Sequence, residues 1–211
     1  MFHDKQYWEK YYTRKEKIDI GYNNPSGFAL FVLDKLIESN NRIVELGCGN
    51  GRDSIFFAEN NKNVLAIDQC KNTTDELNNI YKNLEAMSYD FTRLPINLEF
   101  KPNVIYSRFT LHSIDESGED RTIAWAGKAL EKGGLFCLEA RTVLDPLCGK
   151  GDNKGRNTWF TDHYRRFIVA EEVINKFEDN GFEVIYKIEQ NNLAIYKDDN
   201  PVVLRLICRK K

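Results

Sequence analysis

The sequence predicts an α/β domain built on a mostly parallel sheet. Three observations carry this. Short apolar runs alternate with amphipathic stretches from residue 42 onward; one run, Arg42–Leu46, breaks into a glycine turn; and acids close two of the runs, at Glu45 and Asp68. At 211 residues the chain is expected to fold as one domain, 1–211, with a full hydrophobic core. Within it, 1–40 reads as a helical leader or lid and 141–166 as an insertion.

The elements follow in order. The leader carries Tyr7, Trp8, Tyr11 and Tyr12, and Ser26 is a candidate N-cap for a helix whose apolar stripe is Phe28, Phe31, Val32 and Leu36. Strands are predicted at Arg42–Leu46, Asn63–Asp68, Leu84–Ser88, Asn103–Ser107 and Gly134–Ala140, the third being weak. Helices are predicted between them at Arg52–Asn60, Asp75–Asn83 and Asp120–Leu130, the last with Ile123, Ala126 and Leu130 inward. Residues 141–166 contain Gly149, Gly151 and Gly155 with little periodicity and read as a long functional loop. A helix at Ala170–Asn180 ends on Gly181, and two last strands, Phe182–Ile188 and Pro201–Arg209, flank the turn Asp198-Asp199-Asn200-Pro201.

Composition excludes several classes. The longest apolar runs span about half a dozen residues, whereas a membrane helix needs roughly 20, so no membrane association is expected. The first five residues have no secretion-signal pattern, and a cytoplasmic location is expected. Five cysteines without C-x-x-C spacing read as reduced thiols, not as a disulfide framework or a zinc site. A net charge of −2 argues against electrostatic binding of nucleic acid.

The strongest signal is Val44-Glu45-Leu46-Gly47-Cys48-Gly49-Asn50-Gly51-Arg52, a strand running through a glycine turn into a helix. Glycines there admit a ligand against bare backbone amides. The pattern is G-x-G-x-G, not the G-x-G-x-x-G of dinucleotide sites, and residue 52 is Arg, which argues against a nicotinamide dehydrogenase. An acid at the strand end, Glu45, suits a cationic amine. Asp68, seventeen residues after Gly51, suits a ribose diol, which needs a bidentate acceptor. Gln69 lies beside it. Asp90-Phe91 follows the third strand and suits an adenine, the carboxylate on the exocyclic amine and the ring on the base; the bland alternative for Asp90 is a turn cap.

Together, VELGCGNGRDS at Val44–Ser54, the acid at Asp68 and the pair Asp90-Phe91 resemble class I S-adenosylmethionine-dependent methyltransferases, most nearly the small-molecule, tellurite-resistance type. Asn103–Ile114 and Leu130–Phe136 are similar to that family's later motifs. The resemblance covers about residues 40–140. It implies a Rossmann-like seven-stranded sheet of order 3-2-1-4-5-7-6 with strand seven antiparallel and helices on both faces. It also implies S-adenosylmethionine as cofactor and S-adenosylhomocysteine as product. The implied cofactor residues are Tyr11, Glu45, Gly47, Cys48, Gly49, Asn50, Gly51, Asp68, Gln69, Asp90, Phe91 and Ser107. YWEKYY, SRFTLHSI and HYRRF also resemble methyltransferases of bacterial capsule or surface-polysaccharide biosynthesis, some of which act on phosphoramidate or sugar-nucleotide precursors.

In such sheets ligands bind beyond the carboxyl ends of the strands. His112 is therefore the candidate catalytic residue, as a base or as a hydrogen-bonding group, because imidazole titrates near neutrality. Arg108, Arg141 and the cluster His163, Tyr164, Arg165 and Arg166 are candidate acceptor-binding residues. Residues 141–166 hold six Lys/Arg against three acids, and guanidinium forks suit an anionic acceptor. The expected reaction is methyl transfer to O or N of a small, anionic molecule by a monomer or homodimer without metal. The rival, an RNA methyltransferase, lacks support: the stretch Ser107-Arg108-Phe109-Thr110 has no Asp/Asn-Pro-Pro-aromatic pattern, and no Pro-Cys nucleophile exists.

Overall fold

The computed structural model describes residues 5–12, 24–36, 41–78, 80–93 and 95–211. Seven strands form one sheet: β1 Arg42–Leu46, β2 Asn63–Asp68, β3 Leu84–Ser88, β4 Val104–Arg108, β5 Leu135–Arg141, β9 Phe182–Gln190 and β10 Val203–Lys210. Their order is β3-β2-β1-β4-β5-β10-β9. β3, β2, β1, β4 and β5 pair in parallel, and β10 runs antiparallel to both its neighbours. This is the order expected from the resemblance, with the last two strands renumbered because three short strands precede them.

Those three strands correct the sequence reading of 141–166 as a structureless loop. β6 Asp152–Gly155, β7 Thr158–Phe160 and β8 Tyr164–Arg166 form a small antiparallel sheet. The strands are too short, and the first too exposed, to leave a period-two pattern. Main-chain pairing of Ile168 with Arg141 and Val143 ties the arm to the end of β5.

The helices are α1 Lys5–Tyr12, α2 Gly27–Leu36, α3 Arg52–Glu59, α4 Lys71–Leu77, α5 Glu116–Ala129 and α6 Ala170–Asp179. Ser26 caps α2 as expected, its hydroxyl accepting the Ala29 N–H at 3.0 Å. Phe28 and Val32 are fully buried, while the side chain of Leu36 lies outside the described residues. The helix expected at Asp75–Asn83 instead begins at Lys71 and stops at Leu77. Its end has a cause: the Asn78 side chain exchanges two hydrogen bonds with the backbone of Ala86 on β3, which competes with helix continuation. α5 starts four residues before expectation, because Asp115 accepts the Gly118 N–H and caps it there.

Alternation along the strands separates two apolar layers. Val44, Leu46, Ile105, Phe136 and Leu138 face α5 and α6 and pack with Ile123, Val173 and Phe177. Ile43, Val64, Val104, Tyr106 and Cys137 face the opposite side and pack with Phe28, Val32 and Phe57. Among the described residues no helix is long and apolar enough to cross a membrane, and no cluster of His, Cys, Asp or Glu suits a metal ion. The ring of Phe177 is fully buried between Phe136 and Phe182. Phe177→Ala is expected to lower unfolding stability by about 3–5 kcal/mol, read by chemical denaturation.

Candidate active site

β1 and β4 are neighbours although β2 follows β1 in the chain, so the strand order reverses between them, and such a switch point opens a crevice at the carboxyl ends of the strands. A cavity of about 630 Å³ lies there, within the range for small-molecule sites.

Its floor is the glycine turn. Gly47 and Cys48 donate their N–H groups to the Ile67 carbonyl at 2.7 and 3.0 Å, and Gly49 donates to Asp68 Oδ2 at 2.9 Å. Gly47 and Gly49 have φ of 71° and 56°, in the left-handed region where a side chain costs energy. A Cβ on Gly47 would fall 2.2 Å from Thr110 Cγ2, and one on Gly49 would fall 2.2 Å from the Tyr12 hydroxyl. The turn is thus closely packed by Thr110 on one side and Tyr12 on the other, while Gly47, Cys48 and Asn50 border the cavity.

Asp68 is buried, and its other oxygen accepts the Cys70 N–H at 2.9 Å. Burial pushes its carboxyl up while these N–H groups pull it down. Asp68 also lines the cavity, so its carboxylate borders the space a diol would take. Glu45, also buried, bonds the Ser54 hydroxyl, and its carboxyl is pushed up to about 8, first by burial and then by the nearby Asp53. Asp90 bonds the Thr92 hydroxyl and N–H at 2.7 and 3.0 Å and faces Arg93 at 3.3 Å, which is the turn-cap arrangement, while still lining the cavity beside Phe91. Cys48 is held as a thiol, its pKa pushed well up by burial and by Asp68.

Tyr11, Gly47, Cys48, Asn50, Gln69 and Phe91 also line the cavity. Gly49 and Gly51 shape the turn without lining it, and Ser107 sits beneath, bonded to Thr110. On the other side stand Arg108, His112, Arg141, His163 and Arg165. Tyr164 and Arg166 do not reach the cavity. Arg166 instead fastens β8 to the turn after β4, donating to the carbonyls of Leu111 and Ile114 and pairing with Glu119.

The guanidiniums are paired. Register sets Arg108, Glu139 and Arg205 side by side on β4, β5 and β10, and both arginines bond the fully buried Glu139, at 2.8 and 2.6 Å. Arg141 pairs with Asp145 and Asp199, and Arg165 with Asp162. His112 is buried, and its Nδ1 accepts the Arg141 N–H at 3.2 Å. Burial and the adjacent Arg141 hold it well below the usual histidine pKa. It is therefore neutral with its proton on Nε2, a donor toward the cavity.

Several lining residues carry no sequence signal. Phe109 takes φ of 57° at the end of β4, with the Arg108 guanidinium over its ring at 4.5 Å. Asp53 accepts the Ser26 N–H and hydroxyl and the Tyr106 hydroxyl, tying α2, α3 and β4 together. Leu193–Tyr196, between β9 and β10, form the mouth, with Ile195 61% exposed. Tyr7 of α1 bonds Asp162 at 2.9 Å. The helix pattern would have found α1, but not these long-range partners.

A glycine turn beside two buried acids at a switch point is the arrangement expected of an enzyme that takes a nucleoside cofactor. A family model described as a methyltransferase domain matches residues 22–187, and the chain belongs to that family. No curated protein matches the sequence significantly. Among solved structures, a TehB-like SAM-dependent methyltransferase from Corynebacterium glutamicum is 18% identical, with a TM-score of 0.71 over 98% of this chain and 99% of that one. A S-adenosylmethionine-dependent methyltransferase from Clostridium acetobutylicum is 15% identical, with a TM-score of 0.70 over 95% and 96%. The 1,6-didemethyltoxoflavin-N1-methyltransferase of Burkholderia thailandensis, solved with its substrate and S-adenosylhomocysteine, is 14% identical, with a TM-score of 0.68 over 94% and 82%. These likenesses show the fold.

Glu45 generates a pH dependence whose sign is fixed. Its carboxyl is raised in the folded state, so the unfolded chain releases that proton first, and stability falls as pH rises between about 4.5 and 8. Glu45→Gln removes this loss. The stability of the variant relative to the parent is expected to grow across that window and level off above it, read by thermal melts without ligand.

Proposed function

We propose that the glycine side of the cavity binds S-adenosylmethionine and that its methyl group passes to an oxygen or nitrogen of a small molecule on the His112 side. The observation that carries this reading is the glycine turn, with Gly49 tied to the carboxylate of Asp68 and the buried Glu45 lining the same cavity. We assign Asp68 to the ribose hydroxyls, Glu45 to the amine, Asp90 and Phe91 to the adenine, and Tyr11 to the outer wall of the donor half. When bound, S-adenosylmethionine supplies an electrophilic methyl whose leaving sulfur needs no proton. The protein's task is then to align the acceptor, exclude water and handle the acceptor's proton.

For the acceptor, a small phosphorylated precursor of a surface polysaccharide, a sugar nucleotide or a phosphoramidate, is the class that the sequence resemblance supports. Charge supports it conditionally. Four guanidiniums (Arg108, Arg141, Arg165 and Arg205) face four carboxylates (Glu139, Asp145, Asp162 and Asp199), so an anion must replace a carboxylate. Asp199, with 44% of its side chain exposed, is the one positioned to yield Arg141 to such a group. His112 supplies a hydrogen bond from Nε2 to the acceptor.

Calorimetry with S-adenosylhomocysteine tests the donor half. Tight binding by the parent and at least about tenfold weaker binding by Asp68→Ala are expected, since hydrogen bonds to a charged group contribute about 1.5–3 kcal/mol each. Equal affinity in the two proteins would remove the ribose assignment. For the acceptor half, radiolabelled methyl transfer to a panel of sugar nucleotides, hydroxyl-bearing phosphoramidates and small amines is the measurement, with label expected in the phosphorylated acceptors and not in the amines.

A further inference from the structure

Resting on the methyltransferase reading above, we propose that His163 takes the proton of the acceptor through Nε2, that Asp162 is its positioning residue, and that the methylated atom is a hydroxyl oxygen.

His163 lies in the cavity wall with only 7% of its surface exposed. Its Nδ1 is buried and sits 3.1 Å from Asp162 Oδ2, off the line of a full hydrogen bond. Asp162 stays ionised, because the Thr161 hydroxyl, the Tyr7 hydroxyl and Arg165 hold its carboxyl well below the usual range against the opposing effect of burial. Beside that carboxylate the ring proton belongs on Nδ1, since the other tautomer would set a lone pair against the carboxylate oxygens. The proton-free nitrogen is then Nε2, the one left for a molecule in the cavity.

The rest of the surroundings keep the ring neutral. Arg165 faces it from its own arm, Arg141 from β5 and His112 from the turn after β4, while Asp162 opposes them. Tyr7 and Trp8 of α1 pack on it, with ring centroids at 4.7 and 5.1 Å. Burial and Arg165 lower its pKa to about 4. At neutral pH His163 is thus free to accept a proton, though it is a weak base.

The two imidazoles are complementary. His112 presents an N–H and His163 a lone pair to one cavity, and a hydroxyl both accepts and donates. As the hydroxyl oxygen forms its bond to the methyl carbon, the carbon–sulfur bond breaks with its electron pair going to sulfur. The oxygen becomes strongly acidic, its proton passes to His163 Nε2, and from there it goes to water. A weak base suffices for that step. An amine would keep its proton instead, because its methylated product is more basic than His163. An anionic phosphoryl oxygen has no proton to give.

The chain has three histidines, so nitrogen NMR of the labelled full-length protein resolves them, with assignment by His112→Gln and His163→Gln. At neutral pH, with S-adenosylhomocysteine added, His163 is expected to show Nε2 in the unprotonated range and Nδ1 in the protonated range, with His112 the reverse. Asp162→Asn is expected to move both His163 signals toward averaged positions and leave His112 unchanged. Protonation of His163 at Nε2 in the parent overturns the proposal. His163→Gln is expected to bind S-adenosylhomocysteine as the parent does, and weakening beyond about tenfold places His163 in the donor half and also overturns it. A parent protein that binds no S-adenosylhomocysteine sinks the methyltransferase reading itself, which separates the two failures.

Discussion

The carboxylate of Asp68, buried at the end of β2, is the constraint on which the site depends. One of its oxygens takes the N–H of Gly49 and the other the N–H of Cys70, so a single side chain fixes both the turn after β1 and the entry to α4. That requires β2 to lie beside β1 in a register that sets Leu46 against Ile67 and leaves Asp68 just beyond. The parallel pairing therefore supplies more than a scaffold. It delivers an acid to the one place where two backbone donors converge, and those donors offset the cost of burying the charge.

The His112 side of the cavity is organised differently, by paired charges. Glu139 is fully buried between Arg108 and Arg205, an arrangement possible only because three adjacent strands put these residues in one row. Buried ion pairs are poor sources of stability, since desolvation consumes much of the attraction. Their effect here is geometric: Arg108 is held against Phe109, whose left-handed backbone turns the chain sharply out of β4 toward His112. The balanced pairing also means that the positive charge counted along residues 141–166 is not a free field. Arg156 pairs with Glu172, Arg165 with Asp162 and Arg166 with Glu119.

The glycine side of the cavity was legible in the sequence because its signals are local. Glu45, Gly47, Gly49, Gly51 and Asp68 lie at or just beyond the ends of strands whose apolar runs are continuous, and the glycines mark backbone angles that other residues disfavour. The sheet order was legible only through the family resemblance, since alternation of elements does not rank strands. The opposite side, around His112, was less so. The bonds of Tyr7 with Asp162 and of Arg205 with Glu139 join residues 155 and 66 positions apart, and nothing in either neighbourhood announces the other. The short arm β6–β8 escaped because strands of three or four half-exposed residues carry no period. Reading charge along the chain also overstated its availability at Arg141 and Arg165, since pairing is a three-dimensional property.

The reversal of β10 has one more consequence. Because β9 runs with the parallel strands and β10 runs back, the hairpin between them emerges at the same edge as the glycine turn, and its residues Leu193–Tyr196 become the lip of the cavity. A hairpin loop tolerates insertion cheaply, each doubling in length costing only about 0.6 kcal/mol of closure entropy. Descendants of such a chain can therefore widen or narrow what they admit by rewriting one surface loop. The glycine turn and its carboxylate lie on other elements and are left untouched by such changes.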